Sequence, residues 1–356
     1  MTNVDVQLPQ RLVGTLLGTA VGDALGLPME NLSPDRIRRW WSGPLRMRLI
    51  FGRGMISDDT EHTLMVAQAL LSQPKDSRAF QRALAWKFRW WFAGLPGGIG
   101  LATAKACLRL WLGFPLDKCA GTSAGSGPAM RSAILGVFFA DEPSRRREFV
   151  LASSRLTHRS WQAETAALAV AEAAALVARS AIFPNVESVL SKMRGLSQEQ
   201  EWQKLVSQIE SGLAAGDSVP DFAGQLGLRK GVTGYSLHVV PVALYAWLRH
   251  PSDYSLALTK SIACGGDTDT VGAILGALCG CTTGLNGIPA EWINEIWEWP
   301  RSCSFMERVG NRLANQKLSD TPLGPVGYFW PGLIPRNLFF LAVVLMHGFR
   351  RLVPPY

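Results

Sequence analysis

Apolar and small residues recur at helical spacing over residues 12–24, 63–71, 80–92, 163–178, 239–248 and 271–278, and each run predicts a helix with a buried face. Alternating patterns of the kind that make half-buried strands are hard to find. Residues 164–179 are so rich in alanine that the segment has little water-facing side, which predicts a helix enclosed by close neighbours. Pro96, Gly97 and Gly98, and the stretch 121–128, interrupt the pattern and predict loops. No repeat of 20 to 50 residues is evident, so a solenoid is not expected. The pattern predicts an all-α fold, a single-domain helical bundle over about residues 8–315, followed by an extension at 316–356 that contains proline and aromatic residues.

The extension holds the most hydrophobic short run, residues 338–346, flanked by Arg336 and by Arg350 and Arg351. Nine helical residues cover about 13 Å, less than half of a hydrocarbon core. No uninterrupted apolar stretch of about 18 residues occurs, so no conventional spanning helix is predicted. The run is expected to dock on the body, with attachment to a membrane surface as the alternative. The polar first ten residues lack the basic-then-apolar layout of a signal peptide.

Composition narrows the class. Of 356 residues, 47% are hydrophobic and 18% charged, enough apolar surface to build a large core, which excludes a mainly disordered chain. The 35 glycines and 21 prolines are scattered without period, which excludes a collagen-like one. The net charge of +8 gathers in patches such as residues 36–39 and 145–147, but without interleaved aromatics these read as solvated basic faces; the sign also suits a pyrophosphate-containing ligand. The six cysteines form no zinc-binding pattern and several sit among small apolar residues, which predicts free thiols in a reducing cytoplasm. The 13 tryptophans read as core and rim packing.

Acids in apolar surroundings carry the chemistry. Ser57-Asp58-Asp59-Thr60 and Gly265-Gly266-Asp267-Thr268-Asp269-Thr270 each precede a helical pattern, which places both at helix N-termini. Capping needs one such residue per helix, whereas two carboxylates crowd each start and oppose one another's ionisation. Aspartates with hydroxyls, without nearby His or Cys, form a hard oxygen environment suited to Mg²⁺ or Mn²⁺. If the two starts converge, four aspartates and two hydroxyls could hold two divalent ions about 3.5 to 4 Å apart; solvated capping acids are the simpler reading. A third motif lies at residues 18–30, where Gly18, Gly22 and Gly26 thin one face of a helix for close backbone approach. Asp23 there is expected to hydrogen-bond a neighbouring helix, and Glu30, just past Pro28, is the better catalytic candidate.

Together the three motifs resemble the ADP-ribosylglycohydrolase family, in the family's order and along most of the chain. The resemblance implies an all-α fold of that type with two Mg²⁺ (or Mn²⁺) ions at the base of a cleft for ADP-ribose. It implies metal ligation by Ser57, Asp58, Asp59, Asp267, Asp269 and Thr270, and a catalytic carboxylate at Glu30 or Asp59. Gly98 and Gly100 match a glycine-containing loop beside the ligand. The run Ser123-Ala124-Gly125-Ser126-Gly127 resembles a loop that usually reads Gly-Asn-Gly, with Ser126 in place of the Asn. His158, after Thr157, matches a Thr-His pair near the ligand, and Tyr235, after Gly234, a ring that could flank the adenine; a structural His and a core Tyr are the alternatives. Glu61 and His62 could orient second-shell groups. The expected activity is hydrolysis of the bond between the anomeric carbon of ADP-ribose and an acceptor on a protein, nucleic acid or small molecule, by a monomer in the cytoplasm or peripheral to a membrane. The rival readings are a metal-dependent phosphoester or pyrophosphate hydrolase and a non-catalytic ADP-ribose-binding protein.

Overall fold

The computed structural model describes residues 3–41 and 43–351, which form nineteen α-helices, three 3-10 turns and no β-sheet among the described residues. The all-α expectation is borne out. Nine helices build the core and the site: α1 (Asn3–Gly26), α2 (Asp58–Ser72), α3 (Ser77–Ala93), α4 (Leu101–Trp111), α5 (Trp161–Ala178), α6 (Ser236–Arg249), α7 (Thr268–Thr283), α8 (Cys303–Lys317) and α9 (Leu333–Arg350). Each of the six helical segments in the sequence pattern lies inside one of them. Side chains cap several of their starts: Asp76 accepts from the amides of Arg78 and Ala79, Ser160 from Ala163, and Ser302 from Phe305.

The centre of the molecule is the pairing of α1 with α7. Gly14, Gly18 and Gly22 on α1 face Gly280, Gly276 and Gly272 on α7 so closely that a Cβ on Gly22 would lie 1.9 Å from the Gly272 carbonyl oxygen. A Cβ on Gly18 would lie 2.2 Å from that of Gly276. Only glycine permits this backbone approach. The register ends with Thr268 donating its hydroxyl proton to the Gly26 carbonyl at 2.8 Å, which sets the start of α7 beside the end of α1. Helix α5 is enclosed as its alanine content predicts, with Ala166, Ala167, Ala169 and Ala171 fully buried.

The extension folds back on this body. Gln68 of α2 exchanges two hydrogen bonds with the Val326 backbone, at 2.7 and 2.8 Å. Helix α9 has 18 residues, twice the apolar run read from the sequence, and spans about 27 Å. The short reading failed because Arg336 and Asn337, polar residues that seemed to end the run, point inward. Arg336 pairs with Glu298 and Glu61 and donates to the Ile56 carbonyl, and Asn337 donates to the Gly94 carbonyl. Docking along one face is thus observed. By length and mean hydropathy, Gln7–Met29 and Trp330–Arg350 could each cross a membrane, although neither is an uninterrupted apolar run. The first is wholly buried core, and the second keeps an exposed apolar face with Leu338, Leu341, Leu345 and Phe349.

Candidate active site

The two acidic helix starts meet. Thr270 Oγ1, in the first turn of α7, donates to Asp59 Oδ2 in the first turn of α2 at 3.3 Å, and Ser57 Oγ approaches the same oxygen at 3.2 Å. Asp23, buried in α1, holds α2 in place by accepting from the amides of Ser57 and Thr60 and from the Thr60 hydroxyl. This is the neighbouring-helix role expected of it, and burial pushes its carboxyl up to about 7. The start of α7 is fixed by a glycine turn. Gly265 and Gly266 take φ of +67° and +81°, Gly266 donates to the Leu32 carbonyl, and Asp267 donates its amide to Val232. Asn31 in turn donates to the Gly266 carbonyl at 2.7 Å, so the segment carrying Glu30 is tied to the same turn.

These side chains face a cavity of about 350 Å³. Its wall includes Glu30, the six expected metal ligands Ser57, Asp58, Asp59, Asp267, Asp269 and Thr270, and the loop residues Gly98, Gly100, Ser123, Gly125, Ser126 and Gly127 with His158. Tyr235 is not among the lining residues. Its hydroxyl donates to Glu201 at 2.9 Å, and its neighbour Gly234 faces the cavity instead. A Cβ on Gly234 would sit 3.4 Å from Asp267 Oδ2.

Charge in the cavity is strongly one-sided. Burial, then the charges of Asp23, Glu61 and Glu30, pushes the Asp58 carboxyl well above its ordinary range. Asp59 is raised by burial and by Asp23, Asp58 and Asp267, and Asp269 by burial and by Glu30, Asp267 and Asp59. Glu30 is raised by burial and by Asp267, with partial relief from Arg351. The Arg131 charge acts on Asp58, while Asp59 and Asp269 are raised by the acids around them, and Asp59 Oδ1 is buried without a hydrogen-bond partner. Glu61, one turn further along α2, shows the contrast. It is neutralised by Arg301 and Arg336 and accepts from the Trp91 indole, so it belongs to a buried ion cluster behind the site. His62 is likewise enclosed, edge-on to Phe88 and Trp91.

Among the described residues no three His, Cys or carboxylate groups close on one point by themselves. The donor set is a mixture of carboxylates and hydroxyls around a shared space. Hard oxygens, mutual repulsion among the acids, and an orphaned carboxylate oxygen suit a divalent cation of the Mg²⁺ or Mn²⁺ type, and the residues fit such a group.

Opposite the acids, His158 closes the cavity. Arg131 donates to Thr157 Oγ1 at 2.7 Å, and the same hydroxyl shares a hydrogen bond of 2.8 Å with His158 Nδ1, which fixes the ring and leaves Nε2 towards the glycine loop. Burial, and then the Arg131 charge, pushes His158 down to about 3, so the ring is neutral. Gly125 and Gly127 lie against it, where a Cβ on either would be 3.1 Å from a ring atom. The Ser126 amide donates to the Gly234 carbonyl at 3.1 Å, which ties this loop to the segment before α6. Helix α9 adds an apolar side: Phe340, Leu341 and Val344 line the cavity, and Phe340 packs on Gly97. Nothing local in the sequence marks these three, since they lie more than 200 residues from the loop that they cover.

A helical body in which two acidic helix starts face a glycine-looped cavity defines an all-α enzyme with an oxygen-rich acidic centre. The chain belongs to the ADP-ribosylglycohydrolase family, whose sequence profile matches residues 4–321. It is 24% identical to the ADP-ribosyl-[dinitrogen reductase] glycohydrolase of Rhodospirillum rubrum, over 80% of this chain and 90% of that one. To the ADP-ribosylarginine hydrolase Tri1 of Pseudomonas putida it is 27% identical, over 82% and 75%. A solved structure titled ADP-ribosylglycohydrolase-related protein complex superposes with a TM-score of 0.66 at 26% identity, covering 87% of this chain and 99% of its own.

Proposed function

We propose that this chain is a metal-dependent hydrolase that removes ADP-ribose from a modified acceptor by cleaving the glycosidic bond at the distal ribose. The observation that carries the reading is Asp59, shared between two helix starts, raised by burial and by the charges of Asp23, Asp58 and Asp267, and left with one buried oxygen unpartnered. Ser57, Asp58, Asp59, Asp267, Asp269 and Thr270 would hold two Mg²⁺ (or Mn²⁺) ions. Such ions supply positive charge that binds ribose hydroxyls and opposes charge changes at the anomeric centre. Glu30 or Asp59 orients the attacking water and takes its proton. His158 offers its neutral ring, through Nε2, as a hydrogen-bond partner to ribose or phosphate oxygens. Gly98 (φ +77°) and Gly125 let backbone amides approach the pyrophosphate without a Cβ in the way. The names of the relatives support this reading over a phosphoester hydrolase. Mass identification of both products from an ADP-ribosylated substrate tests it: intact ADP-ribose is expected, AMP would favour pyrophosphate cleavage, and no turnover would favour a binding protein.

We also propose that the protein is a monomer that works in a reducing cytoplasm, at an anionic membrane surface. The outward face of α9 is apolar, and beside it a groove of about 1070 Å³ is lined by Arg36, Arg39, Arg46 and Arg48 together with Trp40 and Trp41. Arginines beside an exposed apolar helix complement acidic headgroups over acyl chains. Co-sedimentation with phosphatidylglycerol vesicles at low salt, and its loss with pure phosphatidylcholine or at high salt, is the expected result; equal binding to both lipids would contradict it.

A further inference from the structure

Helix α9 lies beyond the segment that matches the family profile, which ends at residue 321, yet it reaches the acidic cavity. A helix that only braced the body would bury its inward apolar residues. Phe340 does so at 2% exposure, packed in a cluster with Leu27, Leu49, Ile50 and Met55. Leu341 and Val344 do not: both line the cavity, but Leu341 is 43% exposed and Val344 only half-buried. Leu101, at the start of α4, lines the same cavity and is 70% exposed. The rim of an acidic site thus carries apolar side chains that are open to whatever enters it.

Position along the cavity decides what they meet. In the function proposed above, ADP-ribose runs from the acids, which take the distal ribose, to His158 and the glycine loop, which take the phosphates. Helix α9 is fastened on the side of Glu30: His347 donates to the Pro28 carbonyl at 3.0 Å, and Arg351 donates to the Glu30 carbonyl at 2.9 Å. The distal ribose ends the ADP-ribose unit, so a group joined to its anomeric carbon points away from the phosphates and towards Glu30 and α9. The three α9 residues that line the cavity, Phe340, Leu341 and Val344, are all apolar. Contact with them strips a charged group of water without offering a partner, whereas an alkyl group gains from the same burial.

We propose that Leu341 and Val344, with Leu101, form an acceptor subsite that selects substrates whose acceptor presents an alkyl group next to the anomeric carbon. This assignment rests on the ADP-ribose reading and adds the chemical class of the acceptor.

The test is calorimetric titration of the full chain, in Mg²⁺, with ADP-ribose and with two analogues that carry a methyl or a hexyl group at the distal anomeric carbon, joined through carbon so that they cannot be cleaved. The hexyl analogue should bind at least about tenfold more tightly than the methyl one. In a Leu341→Ser/Val344→Ser variant, whose retained fold is checked by circular dichroism, that preference should fall to within about threefold, while Leu341→Ile should keep it. Equal affinity of the unaltered protein for the two analogues, or binding of ADP-ribose and of neither analogue, would overturn the assignment and leave the ADP-ribose reading standing. Failure of all three to bind would overturn both. An undiminished hexyl preference in the double variant, or an equal loss for both analogues, which is the result expected of an adenine seated on α9, would also overturn the assignment. The first comparison needs no variant.

Discussion

At the residue scale the account turns on carboxylates placed where charge is unwelcome. Asp59 and Asp269 are held among other acids, so the metal-free fold carries a repulsive load that a neutral side chain would remove. Asp59→Asn and Asp269→Asn are therefore expected to raise the melting temperature of the metal-free protein while lowering turnover by about a hundredfold or more. Added Mg²⁺ should then raise the melting temperature of the unaltered protein much more than that of either variant. His158 gives a pH prediction of defined sign. Its folded value of about 3 lies below the ordinary 6.5, so the unfolded chain binds the extra proton. Its contribution to stability is complete above pH 6.5 and is lost as the pH falls towards 3. The difference in unfolding free energy between the unaltered protein and His158→Gln should shrink on acidification through that window, with a slope approaching about 1.4 kcal/mol per pH unit. A difference that stays constant from pH 7 to 4 would show the ring to be ionisable in place.

At the scale of elements, the α1–α7 contact is the tightest in the fold and the one least tolerant of change. Gly22→Ala forces a methyl group onto a backbone carbonyl that cannot rotate away, so urea titration should show a loss of stability of about 1–3 kcal/mol or more. Gly348→Ala, on the outer face of α9 with open space around it, should be neutral or stabilise by a few tenths to about 1 kcal/mol. The six helices of the body were legible in the sequence because their buried faces repeat at 3.6 residues. The glycine stripe of α1 was legible as a surface for close approach, though its partner stripe in α7 was not singled out. Helix α9 was read at half its length because Arg336 and Asn337 look like solvent-facing residues. Their partners, Glu61 and the Gly94 carbonyl, lie 275 and 243 residues away, and no local pattern announces such a pairing. The ion pairs of Glu61 were hidden for the same reason: its neighbours in sequence are cavity acids, while its partners in space are arginines.

At the scale of the whole molecule, α9 joins three regions at once. One face forms a wall of the acidic cavity, Arg336 neutralises the ion cluster behind it, and the outer face is exposed and apolar. Arg336→Met leaves Glu298 and Glu61 short of a counter-ion in a dry environment. It should cost about 3–5 kcal/mol, read by denaturant titration, because a buried charge without its partner costs far more than the pair gains. The site itself depends on segments more than 200 residues apart being brought together by the α1–α7 register. The two acidic motifs, Glu30, the glycine loops and His158 could be read as candidates from the chain, whereas their convergence on one cavity is a property of the fold. The most direct measurement is calorimetric titration of Mg²⁺ into the unaltered protein and into an Asp59→Asn/Asp269→Asn double variant whose fold is verified by circular dichroism. Uptake of two equivalents by the first and none by the second is the predicted result; no uptake by the unaltered protein, or the same isotherm for both, would contradict the account.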